Sequence, residues 1–216
     1  MKTMGLTNLV LVSPTDFQID QALQMAMSAD DVVTNAKHVD SLYDAVSDCG
    51  IVIGSTARSR DYDLPMQSPE QAAQSLLQSA KKQSVALVFG PERMGLHNDD
   101  LEHCTHRATI PTNPDYSSLN LAAAVQTLSY EVFKQYSSNN ENDTDAEADI
   151  REMPSIENTE MFYEHLEETL VEVGFIFKKH PGEVMKKLRA MFSRSQMDKT
   201  EMGIMRGVLA SMQKPK

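Results

Sequence analysis

Three short, unbroken apolar runs constrain the fold of this chain more than any other sequence feature. They occupy residues 9–12, 50–54 and 85–90, and each ends near a small or turn-forming residue. Runs of this length are typical of strands that are buried on both faces of a parallel sheet. Stretches with helical character lie between them, at residues 20–28, 41–47 and 68–82. The alternation predicts an α/β domain.

The later part of the chain predicts a different organisation. Residues 119–136 have the spacing of one long amphipathic helix, and residues 137–155 are rich in Ser, Asn, Asp and Glu. Beyond this stretch only helical patterns occur, the first of them ending at Gly174. We therefore expect an α/β domain at residues 1–136, an acidic linker at 137–155 and a small, basic helical domain at 156–216.

The charge distribution modifies what the net charge implies. A net charge of −11 argues against a nucleic-acid partner, because phosphate binding uses clustered Lys and Arg. Residues 174–216, however, hold 3 acidic and 10 basic side chains. This basic end is either a surface for phosphate or an ordinary solvated helix face, and the sequence leaves both interpretations open.

Several protein classes are disfavoured. The apolar runs are far shorter than the roughly 20 residues that cross a bilayer, and no signal-peptide pattern begins the chain, so we predict a soluble, cytoplasmic protein without membrane attachment. Cys49 and Cys104 are far apart and form no C-x-x-C pair, which predicts reduced thiols. The spacing of His103, Cys104 and His106 fits no zinc motif, and we predict no metal.

Three segments combine strand ends with turn residues and polar groups, namely residues 54–60, 89–96 and 110–120. Open α/β sheets bind ligands at the carboxyl ends of their strands, so the three segments together predict one site. Each segment alone also has an ordinary explanation. The first could be a simple strand exit, the second a turn and the third a helix N-cap.

Two of these segments carry a family resemblance. Phe-Gly-Pro-Glu-x-x-Gly-Leu at residues 89–96 and Ile-Pro-x-x-x-x-Tyr-x-Ser-Leu-Asn-x-x-x-Ala at residues 110–124 resemble motifs two and three of the SpoU (SPOUT) RNA methyltransferases. Residues 55–60 and the acidic linker before a basic helical end are similar to the TrmJ subgroup, which methylates the ribose of cytidine or uridine 32 in the tRNA anticodon loop. The resemblance implies S-adenosyl-L-methionine as cofactor, tRNA as partner, a C-terminal trefoil knot in the α/β domain and an obligate homodimer.

The resemblance also implies roles for individual residues. The catalytic positions are Glu92, Ser118 and Asn120, which would orient the substrate ribose, and Arg58 and Arg60 would contact RNA phosphate, although both arginines could instead form ion pairs or position their loop. A neutral adenine is bound by backbone groups of closely approaching loops, and Gly90 has no side chain to obstruct that approach. The positions that match the cofactor site are Ser55, Thr56, Ala57, Gly90, Ile110, Ser117, Ser118 and Leu119.

The sequence departs from the family at its beginning. Motif one, Asn-x-Gly-x-x-x-Arg, supplies the arginine that activates the 2′-hydroxyl, and this pattern is absent. The first five residues resemble the last turn of a helix with Gly5 as its stop, so we expect one β-α unit to be missing. Either translation was assigned from an internal methionine or the chain is a natural truncation.

Two functions therefore remain open: a tRNA 2′-O-methyltransferase, or a catalytically impaired RNA-binding or dimerisation module that keeps the cofactor pocket. No G-x-G-x-x-G follows a predicted strand, which disfavours a nicotinamide dehydrogenase. The sequence does not reveal which tRNAs are bound or whether cytidine is preferred to uridine.

Overall fold

A computed structural model describes residues 1–15, 17–57, 64–115, 118–141, 151–176 and 182–213. In the range 118–141, the side chains are described through residue 139. Its strands are β1 (Val10–Val12), β2 (Lys37–Val39), β3 (Cys49–Ser55), β4 (Met66–Gln67), β5 (Ser84–Val88) and β6 (His106–Ala108). Its α-helices are α1 (Ile19–Ala26), α2 (Asp30–Thr34), α3 (Leu42–Val46), α4 (Pro69–Ala80), α5 (Asn98–Glu102), α6 (Leu121–Glu141), α7 (Ile156–Glu172), α8 (Gly182–Ser195) and α9 (Lys199–Met212).

The strands form two parallel sheets. One has four strands in the order β4-β6-β3-β5, and the other consists of β1 and β2 alone. Every strand pair is parallel, which confirms the α/β prediction from the apolar runs. The apolar runs predict β1, β3 and β5 but not β2, β4 and β6, because Lys-His-Val, Met-Gln and His-Arg-Ala form no apolar run.

The core of the α/β domain lies on both faces of β3. Val52 and Ile53 are fully buried on opposite faces of the strand. Ile53 packs in a cluster with residues of α4 and α6, including Leu76 and Leu128. Val52 packs in a second cluster with residues of α3 and α5, including Leu101. β3 is thus covered by helices on both sides, as its continuous apolar sequence predicts.

Local hydrogen bonds determine where the helices begin. Before α4, the Ser68 hydroxyl accepts a hydrogen bond from the Gln71 backbone N–H at 3.3 Å, and the Gln71 side chain accepts one from the Ser68 N–H at 2.9 Å. Pro69 occupies the first helical position, where no intrahelical donor is needed. This capping box confirms the helix start that the sequence predicts at Ser68.

Gly5 ends a short 3-10 helix near the start of the chain with φ of 71°.

The three C-terminal helices have a core of their own. Phe162 and Leu166 of α7, Met185 of α8, and Met202 and Leu209 of α9 are buried together. Asp198 caps α9 by accepting from the N–H groups of Thr200 and Glu201. We call residues 156–213 of this part of the chain the helical module.

The structure corrects the predicted linker in two places. Helix α6 continues to Glu141, beyond the predicted end at residue 136, because polar residues propagate a helix that is already nucleated. At the other end, Arg151 binds Asp198 at 3.3 Å and Glu201 at 2.5 Å, both at the start of α9. Ile156 is buried in the cluster of the α/β domain that contains Val52. Residues 151–156 therefore fasten the helical module to the α/β domain.

Both cysteines are free and buried. Burial raises the pKa of the Cys49 thiol to about 11 and that of Cys104 to about 12, so neither forms a thiolate readily. Within the described residues no helix is long and apolar enough to cross a membrane.

His106 gives the stability of the fold a pH dependence. Its side chain is buried in β6, and burial lowers its pKa below the unfolded value of about 6.5. Because the unfolded chain binds this proton more readily, the free energy of unfolding should be highest above about pH 7 and fall as the pH drops through 6.5. Urea unfolding at pH 7.5 and pH 5.5 measures the change.

The matched variants are His106→Gln and His38→Gln, because His38 is exposed. The first should lose less stability than the unmodified chain on acidification, and the second should lose as much. An identical acid effect in all three proteins would exclude His106 as its source.

Candidate cofactor and substrate site

The order of the four-stranded sheet brings the three predicted segments together. β3 lies between β5 and β6 and is parallel to both, so the loops that follow these strands leave the sheet at the same edge. The loops after β3, β5 and β6 begin at Thr56, Phe89 and Thr109, respectively. The result is one loop cluster at the carboxyl edge of the sheet, the place where open α/β sheets bind ligands.

Hydrogen bonds fix the first loop against the third. The Thr56 backbone N–H donates to the Ala108 carbonyl oxygen at 3.0 Å, and the Thr109 hydroxyl donates to the Thr56 carbonyl oxygen at 2.8 Å. Both backbone polar groups of Thr56 are thereby held by β6 and the residue after it. No motif in the sequence marks Thr109, and its only signal is a β-branched hydroxyl side chain directly after a strand.

A turn of close backbone contacts shapes the second loop. The Gly95 N–H donates to the Pro91 carbonyl oxygen at 2.7 Å, and Gly95 has φ of 64°, which favours glycine. A Cβ atom on Gly90 would lie 2.2 Å from the Gly95 carbonyl carbon and 2.3 Å from the Leu96 nitrogen. Gly90 is therefore required by the turn itself, so a larger residue there would disrupt the loop whether or not a cofactor is bound.

Glu92 and Asn120 form the polar contact between the second and third loops. Asn120 Nδ2 donates a hydrogen bond to Glu92 Oε1 at 2.7 Å. Asn120 Oδ1 accepts from the N–H groups of Ala122 at 2.9 Å and Ala123 at 3.3 Å, so the same side chain caps α6. The nitrogen of the amide thus binds Glu92, and its oxygen caps α6. Asn120 consequently joins the start of α6 to a carboxylate 28 residues earlier.

The remaining predicted site residues fall into two groups. Ala57, Ser118 and Leu119 are exposed, and Ile110 is partly buried against the core cluster below the loops. Arg58, Arg60 and Ser117 lie outside the described residues. The predicted site residues that the structure describes therefore lie in the three loops of this cluster or, for Ser55, at the end of β3.

The charged groups of the cluster indicate what it can bind. In the described part of the chain, no group of three or more His, Cys, Asp or Glu residues is arranged to hold a metal ion. Glu92 is exposed, with one carboxylate oxygen bonded to Asn120. The described residues of the cluster thus offer backbone groups, hydroxyls and an oriented carboxylate, groups that hydrogen-bond a hydroxyl-bearing ligand, beside the exposed side chains of Arg93 and Asp115.

Family models cover both parts of the chain. The model of the SpoU rRNA methylase family matches residues 1–130. The model of the C-terminal domain of the tRNA methyltransferase TrmJ matches residues 157–216.

Individual relatives agree with these matches. The tRNA (cytidine/uridine-2′-O-)-methyltransferase TrmJ of Citrobacter koseri is 47% identical over 213 residues, which are 99% of this chain and 88% of that protein. The protein of the same name from Salmonella typhimurium is 46% identical over the same shares. The crystal structure of TrmJ from Z. mobilis ZM4 superposes with a TM-score of 0.81 at 33% identity, covering 99% of this chain and 90% of that one.

These matches span the α/β domain and the helical module alike, and they include the three loops described above. The chain therefore belongs to the SpoU methylase family, and within it to the TrmJ-type proteins.

Proposed function

We propose that this protein transfers a methyl group from S-adenosyl-L-methionine to the ribose 2′-oxygen of a cytidine or uridine in tRNA. The observation that carries the proposal is the Glu92–Asn120 hydrogen bond, which joins two family motifs 28 residues apart at one site. The names of the relatives, tRNA (cytidine/uridine-2′-O-)-methyltransferases, support the substrate class. The resemblance noted in the sequence further suggests position 32 of the anticodon loop.

The loop cluster fits the proposed cofactor. Thr56 and Ile110 lie at the exits of neighbouring strands, and the hydrogen bonds of Thr56 hold its backbone in place. Because the Thr56 N–H is already donated to Ala108, Thr56 would hold the loop in position, and backbone groups of the neighbouring loop residues would bind adenosine, with an apolar side chain such as Ile110 beneath the ring. When bound, the sulfonium supplies an activated methyl group, and no metal is needed to polarise it. Ser55, Ala57, Gly90, Ser117, Ser118 and Leu119 are proposed to complete this cofactor site.

Glu92, Ser118 and Asn120 are the proposed catalytic positions. Because Asn120 occupies Oε1 of Glu92, the second carboxylate oxygen is left to accept a hydrogen bond from a ribose hydroxyl. Ser118, two residues before Asn120, is exposed and offers a further hydroxyl. Methyl transfer requires the 2′-oxygen to be aligned with the methyl carbon, and these groups would supply that alignment.

The proposal includes a homodimer with a trefoil knot in each α/β domain, as the family resemblance implies. An aromatic face on α6 supports the dimer. Tyr130, Phe133 and Tyr136 are 49%, 41% and 55% exposed and follow one another at a spacing of three residues. Large aromatic side chains in one row are typical of protein interfaces. Because α6 begins directly after Asn120, the aromatic face and the site share one helix. We also propose that the protein is located in the cytoplasm. Arg58 and Arg60 are proposed to contact the RNA backbone.

The first test of function uses the full chain, labelled S-adenosyl-L-methionine and unmodified tRNA. We expect cofactor binding by calorimetry, and label incorporated at a pyrimidine ribose, located by the resistance of its 3′ phosphodiester to alkaline hydrolysis. Cofactor binding without incorporation would instead favour the RNA-binding or dimerisation module. If neither cofactor nor tRNA bound, the proposal would be wrong.

The second test separates the two functions of Asn120. Asn120→Asp keeps an N-cap of equal quality but places a second carboxylate against Glu92. We expect thermal stability to change little and methyl transfer to fall about 100-fold, because misplacing an aligning group by about 1 Å has this effect. Asn120→Ser, which also caps a helix but cannot reach Glu92, is the matched control and should show an intermediate loss. Unchanged turnover in Asn120→Asp would remove Glu92 from the proposed site.

The third test concerns the dimer. Phe133→Asp places a charge in the aromatic face of α6 and should shift sedimentation from dimer to monomer at micromolar concentration. Ile204→Asp is the matched control, because Ile204 is 63% exposed on α9, outside that face. A Phe133→Asp protein that remained dimeric would show that this face does not form the interface.

A further inference from the structure

Met66 is an exposed methionine at the side of the loop cluster. It lies in β4, the edge strand of the four-stranded sheet, and pairs with Arg107 of β6. One step further along, the Thr109 N–H donates to the Gln67 carbonyl oxygen at 3.2 Å, so the end of β4 meets the first residue of the third loop. The Met66 side chain is 47% exposed, and its sulfur is therefore accessible to dissolved oxidants.

The Thr109 hydroxyl connects this methionine to the first loop. Its oxygen Oγ1 lies 2.8 Å from the Thr56 carbonyl oxygen and 3.0 Å from Met66 Sδ. A hydroxyl group has one proton to donate, so the two acceptors compete for it. The carbonyl oxygen of Thr56 takes the larger share, because a thioether sulfur is a weak acceptor. While the sulfur is reduced, the shared proton thus holds the first loop to the third.

The two hydrogen bonds described for Thr56 differ in what controls them. The bond from its N–H to the Ala108 carbonyl oxygen joins two backbone groups and continues the pairing of β3 with β6. The bond to its carbonyl oxygen comes from a side-chain hydroxyl, so it depends on what else that hydroxyl contacts. Met66 lies outside the three loops, yet it can alter the position of the first one through Thr109.

Oxidation of the Met66 sulfur would change this competition. In the reaction with a hydroperoxide, a sulfur lone pair attacks the outer peroxide oxygen, the O–O bond breaks, and the proton passes to the departing oxygen. Sulfur loses two electrons, the peroxide gains them, and hydrogen peroxide leaves as water. The product is methionine sulfoxide, in which an apolar side chain has become a polar one. Its oxygen is a far better hydrogen-bond acceptor than the thioether sulfur.

We propose that Met66 is a reversible oxidation site that controls cofactor binding. This inference rests on the proposed function, because it takes the loop cluster as the S-adenosyl-L-methionine site. In the sulfoxide, the new oxygen takes the Thr109 proton away from the Thr56 carbonyl oxygen, and the first loop loses a bond that holds it to the third. Methionine sulfoxide reductases reverse the oxidation. Oxidation thus lowers the cofactor affinity, and reduction restores it.

The first test exposes the full chain to hydrogen peroxide, locates sulfoxides by mass spectrometry and measures S-adenosyl-L-methionine affinity by calorimetry. We expect Kd to rise about fivefold, the weakening that corresponds to one net hydrogen bond. Met66→Leu has a similar shape but no sulfur, and its Kd should stay constant. The matched control is Met25→Leu, because Met25 is 78% exposed on α1, which packs against α2.

Met25→Leu should lose as much affinity on oxidation as the unmodified chain. An equal loss in Met66→Leu would assign the effect to another residue and overturn the proposal. The proposal would also be wrong if Met66 stayed reduced while Met25 was oxidised.

The second test removes the shared proton. Thr109→Val keeps the branched shape but has no hydroxyl, so it should bind the cofactor about fivefold more weakly before oxidation, and peroxide should weaken binding no further. Thr109→Ser keeps the hydroxyl and should respond to peroxide as the unmodified chain does. If Thr109→Val still lost affinity on oxidation, Met66 would not act through Thr109, contrary to the proposal.

The third test follows the loop itself and needs no cofactor. Hydrogen exchange of the peptide that contains Thr56 and Ala57 should become faster after oxidation. It should return to its original rate after treatment with the two methionine sulfoxide reductases that act on the two sulfoxide epimers. Met66→Leu should show neither change. Unchanged exchange in the oxidised chain would overturn the proposal even if the cofactor binds. Faster exchange in a chain that binds no cofactor before or after oxidation would instead refute the proposed function.

Discussion

The structure depends on the position of β3 between β5 and β6. This strand is buried on both faces and pairs in parallel with both neighbours, so three loops that are distant in sequence leave the sheet side by side. The hydrogen bonds of Thr56 with Ala108 and Thr109 then fix the first loop to the third. Burial of one apolar strand thus establishes both the core and the geometry of the site.

The sequence predicts those parts of the fold in which one local pattern determines the outcome. The apolar run of β3 and the Ser68 capping box are of this kind, and the structure confirms both. The order of strands is different, because β6 has only three residues and its position next to β3 depends on pairing across the chain. The sequence also predicts too early an end for α6, since composition alone does not show how far a stable helix continues.

The candidate site likewise combines features that a local pattern predicts with features that depend on tertiary contacts. Sequence motifs predict its residues, but the contact between Glu92 and Asn120 is a tertiary contact that no spacing reveals. Conversely, the sequence predicts that Gly90 leaves room for a ligand, whereas the backbone of Gly95 and Leu96 already requires glycine there. The basic residues of the helical module illustrate the limit of counting charges. Arg189 is held in the module by Glu160 and Tyr163, while Lys187 on the same helix is exposed to solvent.

The separate sheet of β1 and β2 has a consequence for how the molecule opens. Its strands have three residues each, and Val10 and Val12 are both 38% exposed, so little apolar surface is buried to hold the pair together. Two-stranded sheets are marginally stable by themselves. In hydrogen exchange, the amides of β1 should therefore exchange through local openings of low free energy, while those of β3 require unfolding of the whole domain. Native-state fluctuations would expose the apolar edge of β1 first. An exposed strand edge can pair with another chain, so partial unfolding would begin to favour association between chains at this edge.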